Sequence, residues 1–171
     1  YEYATLIFDK MRKIHGLNKR KRLLLELAIV LHESGYYANS KDPRRSTFDI
    51  IKSFDLYGLT DRDIILMANI SNYNEFTQPS NLDPEYIKLS QKEKLAVSKM
   101  VAIFRISNAI DKSKKQKFKS VKVRLKSDKL TITASSDENV YLEKWAIDKC
   151  VPFFQEVFGV KVEFIVKTLL F

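Results

Sequence analysis

The chain has 171 residues, of which 45% are hydrophobic and 30% charged, a composition typical of a soluble globular protein and not of a disordered one. No apolar run reaches the roughly 18 residues that a membrane-spanning helix needs, and no secretory signal pattern is present, so we expect no membrane partner. The formal net charge is +9, and a single cysteine, Cys150, leaves no partner for an internal disulfide, which fits a cytoplasmic location.

The first part of the chain is predicted to be helical. Apolar residues at helical spacing predict helices over residues 2–14 and 21–33, and Gly35 is expected to follow the end of the second helix. The polar segment 39–45 predicts a loop, and a short helix is expected over about 46–53. The chain starts with a tyrosine that already lies inside a helical pattern, so we expect it to be a piece of a longer protein.

Two capping signals predict where the next helices begin. Thr60 with Asp63 predicts the start of a helix that continues to about residue 71. Ser90 with Glu93 predicts the start of a long amphipathic helix. The segment between these two helices contains Pro79 and Pro84 and is predicted to be a long loop.

Beyond residue 117 the hydrophobic period changes from helical to alternating. Residues 121–126 and 129–134 alternate apolar and polar side chains around a tight turn, which predicts a β-hairpin with one apolar and one basic face. A helix is expected over about 141–157, kinked or broken at Pro152, followed by a third strand over 160–167. The predicted fold class is α+β.

The predicted domain division falls where this change occurs. Residues 1–117 are expected to form a mostly helical bundle, and residues 118–171 a small β-β-α-β domain. Cys150 lies in an apolar helical stretch and is expected to be a buried core thiol.

Positive charge is concentrated in one segment. Residues 112–129 hold nine basic residues and one acidic residue, a net charge of +8, which nearly accounts for the imbalance of the whole chain. Such a segment favours polyanions, although a solubilising surface is the alternative.

The segment "LHESGYY" raises the possibility of a metal site for phosphate chemistry. A divalent metal needs several converging His and carboxylate ligands, and the chain has only two histidines, His15 and His32, with Glu33 next to the second. A set of two histidines and one carboxylate is possible, and a purely structural role for His32 is the alternative. With only four glycines, the chain has little material for a nucleotide-binding loop.

Several segments in order resemble the exopolyphosphatase / guanosine pentaphosphate phosphatase (Ppx/GppA) family. They are "RKRLLLELAIVLHESGYY", "STFDIIKSFDLYGLTDRDIILMANIS", "AIFRISNAIDKSKKQKFKSVKV" and "EKWAIDKCVPFFQEVFGVKVEF". The resemblance covers almost the whole chain. It implies that the chain is the C-terminal region of such a protein, an HD-like helical domain followed by a small α+β domain.

The resemblance also carries functional expectations. The family hydrolyses inorganic polyphosphate or guanosine penta- and tetraphosphate, and its catalytic residues and Mg²⁺ site lie in an N-terminal actin-like half that this sequence does not contain. We therefore expect no catalytic residue and no cofactor in this chain. The implied role is to bind the anionic ligand and to form a homodimer, beside the N-terminal phosphatase domain.

The sequence departs from the family where an HD metal site would be. The family's histidine-rich stretch reads "KDPRRSTFD" here, with Arg44 and Arg45, and Asn108 stands where an aspartate ligand is expected. A neutral amide is a poor ligand for a hard cation. His15, His32, Glu33 and Asn108 are therefore interpreted as vestigial HD positions that bind no metal.

The expected anion site consists of basic side chains. They are Arg44, Arg45, Arg105, Lys112, Lys114, Lys115, Lys117, Lys119, Lys122 and Arg124. Two alternatives remain open: a pared-down HD-type phosphohydrolase, and a nucleic-acid-binding module that uses the basic hairpin.

Overall fold

The computed structural model describes residues 1–38 and 41–168. Residues 39 and 40 of the predicted polar loop, and the last three residues of the predicted second domain, lie outside the described residues. The described helices are α1 Glu2–Lys10, α2 Arg12–His15, α3 Lys19–Leu31, α4 Ser34–Ala38, α5 Pro43–Lys52, α6 Asp61–Ser71, α7 Gln91–Ile110 and α8 Tyr141–Phe158. The strands are β1 Ser120–Lys126, β2 Lys129–Ser136 and β3 Lys161–Thr168. Helices followed by a small sheet confirm the predicted α+β class.

The two predicted capping signals are confirmed. The Thr60 side chain accepts a hydrogen bond from the backbone N–H of Asp63, whose carboxylate accepts one from the N–H of Thr60. Ser90 and Glu93 form the same reciprocal pair at the start of α7. Because each pair satisfies N–H groups that the first helical turn leaves without partners, both helices begin where the sequence predicts.

Three predicted helices have other boundaries in the structure, the first being the helix expected over 21–33, which is α3 Lys19–Leu31. The helix expected over 2–14 is two helices, with Met11 between them. The helix expected from residue 46 begins at Pro43, because the Asp42 side chain caps it by accepting a hydrogen bond from the Arg45 N–H at 3.1 Å. A proline at the first helical position loses nothing, since its missing N–H would have no partner there.

Gly35 follows the end of α3, as predicted, but it is not the residue that caps that helix, which is His32. Gly35 lies inside α4 and is buried against the start of α5, where a Cβ atom would stand 2.0 Å from the Pro43 carbonyl oxygen. Its N–H donates to the Thr47 hydroxyl at 3.0 Å. The glycine is therefore required by a close approach of two backbones, a tertiary feature that the local pattern does not reveal.

The hairpin and the third strand form one sheet in the order β1-β2-β3. β1 and β2 are antiparallel, with Val123 opposite Ile132, and the alternation predicted from the sequence is confirmed: the apolar side chains face inward and Lys122, Arg124 and Lys126 are exposed. β3 pairs with β2 in parallel after the crossover through α8. α8 is continuous through Pro152, so of the predicted kink or break the break does not occur.

A single hydrophobic core joins the helices to the sheet. α8 packs against both α7 and β3, and α1 contacts β1. One cluster of buried side chains runs from Ile7 in α1 to Phe154 in α8. Cys150 is in this cluster, and burial raises the pKa of its thiol to about 12, as expected of an inert core cysteine. The division between residues 117 and 118 stays a prediction.

No helix within residues 1–38 and 41–168 combines the length and the apolar character needed to cross a bilayer.

Candidate anion-binding cleft

A cleft of about 610 Å³ opens at the end of the bundle where α3, α6 and α7 terminate. α4, the first turn of α5 and the loop after α6 complete its walls. The lining residues are His32, Glu33, Tyr36, Tyr37, Arg44, Ser71, Tyr73, Asn74, Glu75, Phe76, Asn108, Lys112 and Lys114. Three of the predicted anion-binding cations, Arg44, Lys112 and Lys114, are therefore brought together from distant parts of the sequence.

Arg44 is held in the cleft by the helix that carries it. α5 begins at Pro43, so Arg44 lies in its first turn. Its Nε donates to the backbone oxygen of Asn72, the C-cap residue of α6, at 2.8 Å. A cation at this position offsets the partial negative charge of a helix C-terminus. Arg44 makes no ion pair with any residue within 1–38 or 41–168, so most of its guanidinium remains available to a ligand.

The two cleft lysines are paired with carboxylates. Lys112 contacts Glu75, whose side chain is buried, and Lys114 contacts Glu33. The Lys114 side chain is 62% exposed. An exposed pair of this kind contributes only about 0–1 kcal/mol, so an incoming phosphate can compete for Lys114. Removing Lys112 from Glu75 would instead leave a buried carboxylate without its partner, which is costly.

Four aromatic side chains line the same cleft as these cations: Tyr36, Tyr37, Tyr73 and Phe76. Burial raises the pKa of Tyr73, whose hydroxyl donates to Asp83 at 2.9 Å. Tyr37 and Phe76 are exposed. The prediction from sequence did not include these rings. The tyrosine pair directly after "LHESG" is the local signal that could have indicated them.

Three of the four vestigial HD positions, His32, Glu33 and Asn108, also line this cleft. The Nδ1 of His32 donates to the carbonyl of Ile29, and its Nε2 lies 3.5 Å from Glu33 Oε1. Burial lowers the pKa of His32, so the imidazole is neutral at pH 7. Within the described ranges, no group of three or more His, Cys, Asp or Glu side chains is arranged to hold a metal ion.

His15 lies at the opposite end of α3 from His32. His15 precedes α3, a helix of 13 residues, and His32 follows α3. The length of this helix separates the two histidines by about 20 Å. His15 is buried, with Nε2 donating to Phe8 O at 2.8 Å and Nδ1 accepting from Leu17 N–H at 2.8 Å. This separation argues against a single metal held by both histidines and Glu33.

The comparison with protein families agrees with the resemblance found in the sequence. The sequence model for Ppx/GppA phosphatase, domain III, matches residues 1–149. The chain belongs to the Ppx/GppA phosphatase family. The match runs past the predicted domain boundary into α8. A comparison with curated proteins finds no match.

In this Ppx/GppA domain, two of the predicted anion-binding cations lie largely in the interior: Arg105 is buried, and the Lys117 side chain is 12% exposed. Arg105 donates to the carbonyls of Asn74 and Glu75, at 2.7 and 2.9 Å. Burial lowers its pKa, and its guanidinium stacks over the Phe153 ring. Lys117 pairs at 3.2 Å with Glu143, which is 1% exposed. Both side chains fix the structure, and Arg105 does so directly behind the cleft by holding the loop after α6.

The remaining predicted cations lie on other surfaces of the Ppx/GppA domain. Arg45 pairs with Asp49 at 3.0 Å and Glu85 at 3.7 Å outside the cleft. Lys119 pairs with Asp137, and Lys115 is exposed in the connection before β1. Lys122 and Arg124 are exposed on β1. The ten predicted cations thus divide into three in the cleft, two that are largely buried, and five elsewhere on the surface.

Proposed function

We propose that this chain is the non-catalytic, polyanion-binding C-terminal portion of an exopolyphosphatase/guanosine pentaphosphate phosphatase-like hydrolase. Its ligand is inorganic polyphosphate or a phosphorylated guanine nucleotide, held in the cleft. The observation that carries the proposal is the convergence of Arg44, Lys112 and Lys114 on one cleft in a member of this family. Hydrolysis then belongs to the N-terminal phosphatase domain, where the family relationship implies Mg²⁺.

The contacts of the three cations indicate how directly each would bind the phosphate. Arg44 is the primary ligand because it has no carboxylate partner among the described residues and its planar guanidinium can bind a phosphate through two hydrogen bonds. Lys114 is the second ligand and leaves Glu33 when a phosphate enters. Lys112 keeps its place beside Glu75 and supplies a neutralising charge rather than a direct contact.

Equilibrium binding of inorganic polyphosphate to three variants tests this ranking. Arg44→Gln is expected to weaken binding about tenfold, which corresponds to one lost charge-assisted hydrogen bond pair of about 1.4 kcal/mol. Lys114→Gln is expected to weaken it less. Lys115→Gln, which removes the same charge outside the cleft, is the matched control. Equal losses for Arg44→Gln and Lys115→Gln would refute a defined site.

The proposal includes self-association. Phe76 and Trp145 form an exposed ring pair with centroids 5.7 Å apart, and Tyr141 and Leu142 expose apolar surface beside Trp145 on α8. Such a patch supports contact with a second copy of the chain. Sedimentation equilibrium is expected to show a dimer that Trp145→Glu dissociates. A monomeric wild-type chain would contradict this part of the proposal.

A further inference from the structure

The sheet has one face that no described helix covers. We call it the outer sheet face and define it by the alternate positions within residues 122–126, 129–133 and 161–167 that point away from the core. β1 contributes Lys122, Arg124 and Lys126, and β2 contributes Lys129, Thr131 and Thr133. β3 contributes Lys161, Glu163, Ile165 and Lys167.

This face carries a strong and mostly unpaired positive charge. It holds six cations and one carboxylate, a net charge of +5. Lys129 pairs with Glu163 at 2.8 Å. The other five cations form no ion pair with any described residue, in contrast to the two cleft lysines. A surface with this much unneutralised charge is complementary to a polyanion.

The charges are arranged in two rows. Residues two apart on a strand are separated by about 7 Å, so Lys122, Arg124 and Lys126 form a row along β1. Lys161 and Lys167 form a second row on β3, the opposite edge of the sheet. With strands about 4.8 Å apart, the rows are about 10 Å from each other. The hydroxyls of Thr131 and Thr133 lie between them on β2.

We propose that the outer sheet face binds duplex RNA, with the two cation rows on the phosphates of its two strands. Lys, Arg and Thr are the side chains that contact phosphates and sugars in nucleic-acid complexes. The minor groove of A-form RNA is wide and shallow and displays 2′-hydroxyls, which Thr131 and Thr133 can reach from a flat surface. The major groove of B-form DNA admits an α-helix or a two-stranded β-ribbon rather than the face of a three-stranded sheet, and its minor groove is only about 6 Å wide, so the outer sheet face matches neither.

The same geometry disfavours the other polyanions. A single inorganic polyphosphate chain would use one row and leave the other unmatched. A membrane-binding surface would present several large apolar side chains for insertion, whereas Ile165 is the single one among the ten residues that define this face. The face also has no aromatic residue among these ten, so it offers no stacking platform for a single strand.

Fluorescence anisotropy with a labelled RNA duplex of about 16 base pairs tests the proposal, using the 171-residue chain. Five cations on phosphates predict a slope of log K against log salt concentration of about −4 to −5, an affinity loss of about 500-fold between about 50 and 200 mM salt. Two hydrogen bonds to 2′-hydroxyls predict about tenfold tighter binding of duplex RNA than of duplex DNA. A flat salt dependence or equal binding of the two duplexes overturns the proposal.

Variants of each row and of the threonines localise the contact. Lys122→Gln/Arg124→Gln/Lys126→Gln is expected to reduce the slope by about 3, and Lys161→Gln/Lys167→Gln by about 2. Thr131→Val/Thr133→Val is expected to abolish the preference for RNA over DNA. The matched control removes the same charge from exposed positions elsewhere, as Lys13→Gln/Lys92→Gln/Lys144→Gln. Circular dichroism verifies folding. Loss of RNA binding in the control equal to that in the β1 variant overturns the proposal.

Failure of RNA binding at the outer sheet face can be distinguished from failure of polyphosphate binding in the cleft. Arg44→Gln is expected to leave RNA affinity unchanged, since Arg44 lies outside the outer sheet face. RNA binding that falls with Arg44→Gln and persists in the β1 variant would assign the duplex to the cleft and overturn this inference.

Discussion

Replacing Gly35 by alanine tests how α4 and α5 hold the cleft together. A Cβ at this position would lie 2.0 Å from the Pro43 carbonyl oxygen and 2.4 Å from the Thr47 backbone nitrogen. Both are backbone atoms, so rotation of a side chain cannot relieve the collision. Restoring an ordinary contact of 3.4 Å to Pro43 O requires the start of α5 to move by about 1.4 Å.

Two opposing effects determine how much Gly35→Ala changes the free energy of unfolding. Alanine favours a helix over glycine by up to about 1 kcal/mol. Overpacking of a rigid interior costs about 1–3 kcal/mol and occasionally more, and here the hydrogen bond from the Gly35 N–H to Thr47 is displaced as well. We expect Gly35→Ala to lower the free energy of unfolding by about 3 kcal/mol, a fall in melting temperature of about 6–12 °C for a chain of this size.

Thermal unfolding followed by circular dichroism measures this change, and Gly16→Ala is the control. Gly16 has a φ of 63° and nothing within 4 Å of an added Cβ, so only the left-handed backbone conformation is strained there, at about 1 kcal/mol. A melting temperature for Gly35→Ala at or above that of Gly16→Ala would refute the close-approach explanation. The displacement of α5 is also expected to weaken polyphosphate binding, since Arg44 follows Pro43.

Two further predictions concern buried polar groups. Arg105→Met leaves the carbonyls of Asn74 and Glu75 without their hydrogen-bond donor. We expect it to lower the free energy of unfolding by about 3 kcal/mol, measured by denaturant unfolding. A loss below about 0.5 kcal/mol would contradict the structural role of Arg105. Burial lowers the pKa of His15, so the unfolded state takes up a proton before the folded state does as the pH falls below about 6.5. The free energy of unfolding is therefore expected to decrease in that range, by up to about 1.4 kcal/mol per pH unit for each such proton. His15→Gln is expected to make that dependence shallower in pH-series denaturation, and an unchanged slope would contradict the assignment.

Local signals in the sequence predict most of the secondary structure. The reciprocal hydrogen bonds of Thr60 with Asp63 and of Ser90 with Glu93 involve residues three apart, so the pattern of letters already contains them. The alternation in β1 is equally local, and the hairpin is found as predicted. The role of Gly35 depends on a contact with Pro43 across a segment that includes residues 39 and 40, and no local pattern encodes it.

The cleft was harder to predict because its electrostatics are set by distant pairs. Lys112 meets Glu75 and Lys114 meets Glu33, at separations of 37 and 81 residues along the chain. The sequence shows the excess of lysines between residues 112 and 129, and only the fold shows which of them are neutralised. α4 and α5 bring Arg44 into the same cleft as His32, which belongs to the "LHESG" segment.

The site of polyphosphate binding is tested most directly by nuclear magnetic resonance. Titration of the ¹⁵N-labelled chain with inorganic polyphosphate reports separately on the guanidinium Nε–H of Arg44 in the cleft, Arg124 on the outer sheet face and Arg105 in the interior. The account predicts that the Arg44 signal shifts first, together with the backbone amides of Tyr36 and Phe76, while the Arg105 signal stays in place. A shift of Arg124 with no change at Arg44 would contradict it.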